Sequence, residues 1–385
     1  MSPLRVGDCR TLPSEDSIGS NRIVDRNTRF NDDTPQFSRS TSVGKLARIA
    51  GSFPVHAWPQ EGVEPVSETV PRREFLKASA VGLAAGVTSF TVADANTPSY
   101  KRLFTMDLAC GAIGVQVPLP EAVGLAHAFG FEAVDADAAF LAKLSSQEID
   151  ELSAKVKAIG LVWGAAGLPV DFRGDDSRFQ ADLEALPAAA AALQRAGLTR
   201  VGTWISPTHR TLTYVANFGQ HARRLRAVAV ILGDHGLRLG LEYVGPKTSW
   251  TSARYPFIHT MAELKDLIAE IDRPNVGIVL DSWHWYTAGE TEAELLSLSN
   301  RDVVVCDLND APAGIAVDQQ KDSVRDLPCA TGVIDLATFL GALIKIGYDG
   351  PVRAEPFKAK LRNLPKEEAV AATAAAMKRA FALVS

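Results

Sequence analysis

Between residues 103 and 384, short apolar runs alternate eight times with longer stretches of helical period, and no other feature restricts the fold as much. The runs are Leu103–Leu108, Glu132–Asp135, Leu161–Ala165, Arg200–Ile205, Arg238–Tyr243, Val276–Leu280, Val303–Asp307 and Pro351–Glu355. Val276–Leu280 shows no apolar/polar alternation, as expected of a parallel strand buried on both faces. The helical stretches are Pro120–Phe129, Ser146–Ile159, Arg178–Ala196, Leu212–His235, Met261–Glu270, Thr291–Ser299, Asp335–Ile346 and Lys366–Val384. Gly130, Gly160, Gly197, Gly236, Gly347 and Gly350 stand where helices must end before the next strand. Eight strand–helix pairs predict an α/β protein with a single (β/α)8 barrel domain, the TIM barrel, which needs roughly 250 residues. A doubly wound open sheet is the competitor. It would more usually carry a Gly-rich phosphate loop after its first strand, and Ala109-Cys110-Gly111-Ala112 is not one.

The barrel is expected over residues 96–385. Residues 1–70 are rich in Ser, Thr, Asn, Asp, Pro and Arg without a sustained apolar period, and read as a disordered or mis-annotated extension. Residues 71–95 read as a twin-arginine signal peptide: Pro71-Arg72-Arg73-Glu74-Phe75-Leu76-Lys77, a short Ala/Gly-rich apolar stretch, then Ala93-Asp94-Ala95 as the cleavage site. A signal lies near a chain's start. Met106 is the next methionine after Met1, so an alternative start is expected at a non-AUG codon such as that of Val63 or Val66. The expected location is the periplasm, or another place reached by twin-arginine export.

Net charge is −5, and acids and bases balance in the first 95 residues, so the whole excess falls on the barrel. A mildly acidic domain without a basic stripe excludes nucleic acid as the expected partner. Cys9, Cys110, Cys306 and Cys329 show no CxxC spacing, so neither a zinc knuckle nor a disulfide framework is signalled. No apolar run reaches the roughly 18–20 residues of a membrane span, so stable membrane insertion is not expected. A homo-oligomer is left open.

The last four predicted strands each carry an acid at or beside their end: Glu242, Asp281, Asp307 and Glu355. In a barrel, strand ends converge on one mouth. A single such acid is ordinarily a helix cap or a surface ion pair. Four together would repel one another, which a bound divalent cation relieves, and oxygen-only ligation suits a hard ion, Mn²⁺ or Mg²⁺. A cation holding a sugar carbonyl and its neighbouring hydroxyl acidifies the adjacent C–H. Glu242 and Glu355, on strands five and eight, are the expected acid/base pair.

These residues resemble the sugar phosphate isomerase/epimerase group of xylose isomerase-like TIM barrels. The resemblance runs from Leu103 to Val384 and rests on the Leu-Glu, Leu-Asp-x-x-His, Asn-Asp and Glu-Pro-Phe motifs and on Gly347-Tyr348-Asp349-Gly350. It implies one divalent metal held by Glu242, Asp281, Asp307 and Glu355, with the two glutamates doubling as acid and base. It also implies that His284 contacts substrate. Position 307 departs from the family, which has histidine there; aspartate makes the site harder and more anionic, and moves the expectation toward Mn²⁺ or Mg²⁺ and away from Zn²⁺. Related barrels include zinc endonucleases with histidine-rich centres. Here only His209 and His284, of seven histidines, fall near strand ends.

Further substrate contacts are expected from Lys247 and Trp250 after strand five, from His209 after strand four, and from Arg325 or Lys321 in the long Asn309–Ile334 connection, read as a lid. Asp135 and Asp137 follow strand two and are equally compatible with ordinary loop structure. One of Trp283 and Trp285 is expected simply to pack. The expected partner is a small carbohydrate, and the expected function is a metal-dependent isomerase or epimerase acting on a ketose, keto-sugar or cyclitol. Two alternatives stay open: a lyase or dehydratase eliminating from a keto-glycoside or inosose, and a non-catalytic carbohydrate-binding barrel.

Overall fold

The computed structural model describes residues 101–385, so the readings for residues 1–70 and for the paired-arginine stretch lie outside the described residues. Eight parallel strands close into a barrel: β1 (Thr105–Leu108), β2 (Ala133–Ala136), β3 (Val162–Gly167), β4 (Arg200–Trp204), β5 (Arg238–Glu242), β6 (Val276–Asp281), β7 (Val303–Leu308) and β8 (Pro351–Ala354). Closure is made where β1 meets β8, with Thr105 opposite Pro351 and Met106 opposite Val352. Every predicted strand is present, within two residues at each end.

Outer helices follow each strand, and their ends obey the local chemistry. Ser145 and Glu148 form a capping box at the start of helix Ser146–Ala158. Asp175, Thr213, Thr260 and Asp335 each accept a first-turn amide of the helix that follows. Gly197 ends helix Asp176–Ala196 in the left-handed conformation, at φ 91°, where a side chain would be strained. No helix among the described residues is long and apolar enough to cross a membrane.

The barrel interior explains how the acids reach one place. Side chains alternate sides along a strand, so the residue two positions before an inward acid also faces inward. Val279 and Val305 precede Asp281 and Asp307 in this way and pack with Ala165 and Val304 into a small inner cluster. Gly240 precedes Glu242. A Cβ there would lie 2.9 Å from Val279 Cγ2, so glycine is what lets the barrel fill with valines beneath the acids. The inner floor is therefore apolar and close-packed, and the charged residues emerge above it at the strands' C-terminal ends.

Elements beyond the eightfold pattern shape the mouth. The Asp281-Ser-Trp-His-Trp stretch becomes helix Ser282–Ala288 directly after β6, with Asp281 Oδ1 accepting the amide of Trp283 at 2.8 Å. Thr208–His209 and Tyr255–Pro256 form a two-stranded antiparallel ribbon. The connection after β7 is packed down: Asp310 exchanges two backbone hydrogen bonds with Asp326, and its carboxylate accepts the amides of Ala311, Thr331, Gly332 and Ile334. One buried aspartate thus ties the two ends of the long loop together.

Candidate active site at the barrel mouth

Glu242 ends β5, Asp281 ends β6, Asp307 lies near the end of β7, and Glu355 follows β8. The structure brings all four together. One oxygen each from Glu242, Asp307 and Glu355 lie within 4.8 Å of one another, and the same holds for Glu242, Asp281 and the His284 ring. Asp281, Asp307 and Glu242 are buried, whereas Glu355 is partly open to the cavity. Asp281 and Asp307 are register partners across β6 and β7, which is why their carboxylates share one side of the mouth.

Burial raises the acidities' thresholds here, and neighbouring acids add to it. Glu242 is held well above the ordinary carboxylate range by desolvation, then by Glu355, Asp281 and Asp307. Burial also pushes Glu355 up to about 8 and Asp281 up to about 7, against the opposing pull of Arg325. His284, fully buried, is driven down to about 3 by desolvation and by Arg325, so its ring is neutral. Its Nδ1 accepts the Gly245 amide at 3.2 Å, which leaves the ring's one hydrogen on Nε2. Gly245 has no room for a Cβ, which would sit 2.6 Å from the His284 carbonyl oxygen.

Two arginines answer the negative charge. Arg325, delivered by the long loop and buried, donates to Asp281 Oδ2 at 2.8 Å, to Glu355 Oε2 at 2.8 Å and to Asp322 Oδ1 at 2.7 Å. The nitrogen that donates to Asp322 also lies 3.3 Å from His284 Nε2, so two hydrogen donors face each other at that point. Arg353, from β8, grips Asp307 through both oxygens at 2.7 and 2.6 Å and reaches Asp135 at 2.8 Å. Asn309 completes the shell by donating to both oxygens of Asp281.

The donor set fits a divalent cation. Four carboxylates outnumber the two guanidiniums among them, and Glu242 Oε1 is buried without a hydrogen-bond partner among the described residues. Arg325 itself stands as a positive charge between Asp281 and Glu355, where the charge balance calls for one. Asp307 keeps lone pairs beyond those Arg353 uses, so the pair does not bar it from a ligand set.

A cavity of about 640 Å³ opens above these groups, lined by Glu242, His284, Arg325, Glu355, Trp204 and Phe357 among others. Several expected contacts are not brought into it. Lys247 is drawn to Asp318 at 2.7 Å, in the long loop. Trp250 stacks on His259 with centroids 4.6 Å apart. His209 turns its Nδ1 to the amides of Thr211 and Leu212 and shapes its own loop. Lys321 is exposed. Asp137 caps a short helix through Phe140. Both Trp283 and Trp285 are buried, so packing claims the pair.

Over residues 123–380 the chain matches the family model for the xylose isomerase-like TIM barrel. The chain belongs to this family. A xylose isomerase domain protein from Alicyclobacillus acidocaldarius is 34% identical, with a TM-score of 0.63 over 71% of this chain and 96% of that one. A crystal structure of the IolI protein with a bound zinc atom aligns at 19% identity and a TM-score of 0.60, covering 73% and 98%. Among curated relatives, the inosose isomerase of Bacillus subtilis (strain 168) is 29% identical over 150 residues, 38% of this chain and 49% of that protein. The 3-dehydroshikimate dehydratase of Pseudomonas putida is 28% identical over 146 residues, 37% of this chain and 21% of that protein. The chain thus spans half or less of the curated relatives it matches. Set against the family resemblance, Arg353 is the residue the strand-end pattern did not flag; its signal was a charge inside an otherwise apolar strand, two positions before an inward acid.

Proposed function

We propose that the protein is a divalent-metal-dependent isomerase or epimerase that moves a proton alpha to the carbonyl of a ketose, keto-sugar or cyclitol. The observation that carries this reading is the pair Glu242 and Glu355. They rise from β5 and β8, three strands apart around the barrel, and line one cavity, so that one can take a proton and the other return one.

Held by Glu242, Asp281, Asp307 and Glu355, a divalent cation would polarise the substrate carbonyl and acidify the neighbouring C–H. One glutamate takes that proton, and the other returns one to the same or the opposite face. His284 offers its Nε2 hydrogen to a substrate oxygen, since its neutral ring and its Nδ1 contact fix that hydrogen's position. Arg325 holds Asp281 and Glu355 in place, and its donors turn to the substrate when an oxygen enters between it and His284. Trp204 and the long loop, through Asp322 and Arg325, form walls of the cavity. Zinc in the IolI structure supports a divalent ion, and the all-oxygen donors support Mn²⁺ or Mg²⁺.

A second reading, elimination, is supported by the match to a dehydratase. It uses the same proton abstraction and differs only in whether a β-substituent leaves. Export through the twin-arginine route accompanies this proposal, and makes an unphosphorylated sugar or cyclitol the substrate. The test is product analysis by NMR after incubating Mn²⁺-, Mg²⁺- or Zn²⁺-loaded protein with ketoses, keto-glycosides and inososes. An epimer or isomer supports the first reading and an unsaturated product the second. Binding without turnover would point to a carbohydrate-binding barrel.

A further inference from the structure

The cavity above the catalytic carboxylates has a neighbour. A second cavity of about 610 Å³ lies on the β1–β3 side of the mouth, and Glu355 and Phe357 line both. Each alone falls within the about 300–1,000 Å³ typical of a small-ligand site. From these adjoining cavities we propose that the mouth has two subsites, and that the second binds another sugar ring attached to the reacting one, so that the substrate is a keto-glycoside. This rests on the proton-transfer reading above and specifies its substrate.

The chemistry of the second cavity selects its occupant. Leu108, Val117 and Leu168 give apolar wall, while Gln116, Asp135 and Asp137 give hydrogen-bonding groups. A sugar ring offers that combination, with C–H faces and peripheral hydroxyls. A phosphate or carboxylate does not suit it. Arg353 is the one basic residue in the lining, and its charge is already engaged by Asp135 and Asp307, while Asp137 and Glu355 add further negative charge. Glu355 faces both cavities, so the carboxyl that serves the reacting ring also stands beside the bond joining the two groups.

Two glycines allow a clean test. Gly111 and Gly167 line the second cavity, a Cβ on either would meet nothing within 4 Å, and neither has a left-handed backbone. Gly111→Phe and Gly167→Phe therefore put a ring on the wall of this cavity with no clash at Cβ. We would compare α-deuterium exchange of methyl 3-ketoglucoside, which has one ring, with that of 3-ketotrehalose, which has two. The expected result is kcat/KM at least tenfold higher for the two-ring compound in the wild type, with that advantage lost in both variants and the one-ring rate unchanged. The unchanged one-ring rate reports that the variants fold. Equal rates for the two compounds in the wild type, or an advantage that survives both substitutions, would overturn the second subsite while leaving the reaction standing. Exchange in neither compound, with protein shown to hold metal, would overturn the proton-transfer reading and the subsite with it.

Discussion

Arg353 and Asp307 stand opposite each other as register partners on β8 and β7, and the guanidinium holds both carboxylate oxygens, at 2.7 and 2.6 Å. The same guanidinium reaches Asp135 on β2, so one arginine links three strands across the barrel closure. It places a compensating charge beside Asp307, one of the four carboxylates of the mouth.

Removing that charge should be costly. Arg353→Met would leave Asp307 and Asp135 without their cation, and breaking a buried pair from one side costs about 3–5 kcal/mol. Urea denaturation of the metal-free protein measures it. A loss below about 1 kcal/mol would mean that solvent or a neighbouring group already balances these acids.

The carboxylates divide by role. Glu355→Gln should lower turnover by about 10²–10⁴-fold, the usual contribution of a positioned acid or base, and weaken metal binding as well. Asp281→Ala should abolish metal binding. Steady-state rates and metal content after dialysis check both, and wild-type values in either variant would refute the site.

Stability of the metal-free protein should fall as pH rises from about 6.5 to 8. Asp281 and Glu355 keep their protons to about 7 and about 8 when folded, but would lose them well below that when unfolded. The folded state therefore binds more protons in this window, and linkage makes it less stable as they leave. Below about 6.5 His284 and His221, buried neutral with thresholds driven down to about 3 and about 4 chiefly by desolvation, oppose the carboxyls and make the slope shallower. Thermal melts should show Tm falling between about pH 6.5 and 8, and saturating metal should flatten that fall. A metal-free protein that gains stability between about pH 6.5 and 8 would contradict the charge balance described.

The fold was readable because it rests on local signals. Apolar runs recur eight times, polar residues cap many of the helices between them, and Gly130, Gly160, Gly197, Gly236 and Gly347 all take the left-handed conformation. The convergence of Glu242, Asp281, Asp307 and Glu355 was readable for the same reason, since strand ends share one rim. What local patterns do not encode is which charge answers which. Arg353 meets Asp135 from 218 positions away, and Lys247 is taken up by Asp318 rather than turned to the cavity. The Asp-Ser-Trp-His-Trp stretch hid a helix because it is too short to show a period.

Export makes its own prediction. The mature natural protein, isolated from its source, should begin at Asn96, after Ala93-Asp94-Ala95. N-terminal sequencing decides it, and a natural protein that retains the paired arginines would remove both the signal and the argument for an unphosphorylated substrate.

The most direct test of the central claim is deuterium exchange. Metal-loaded protein from Asn96 onward would be incubated in D₂O with ketoses, keto-glycosides and inososes and followed by NMR. Proton transfer by Glu242 and Glu355 predicts deuterium at the carbon alpha to the carbonyl, lost in Glu355→Gln. No exchange across the panel, in protein shown to hold metal, would contradict it.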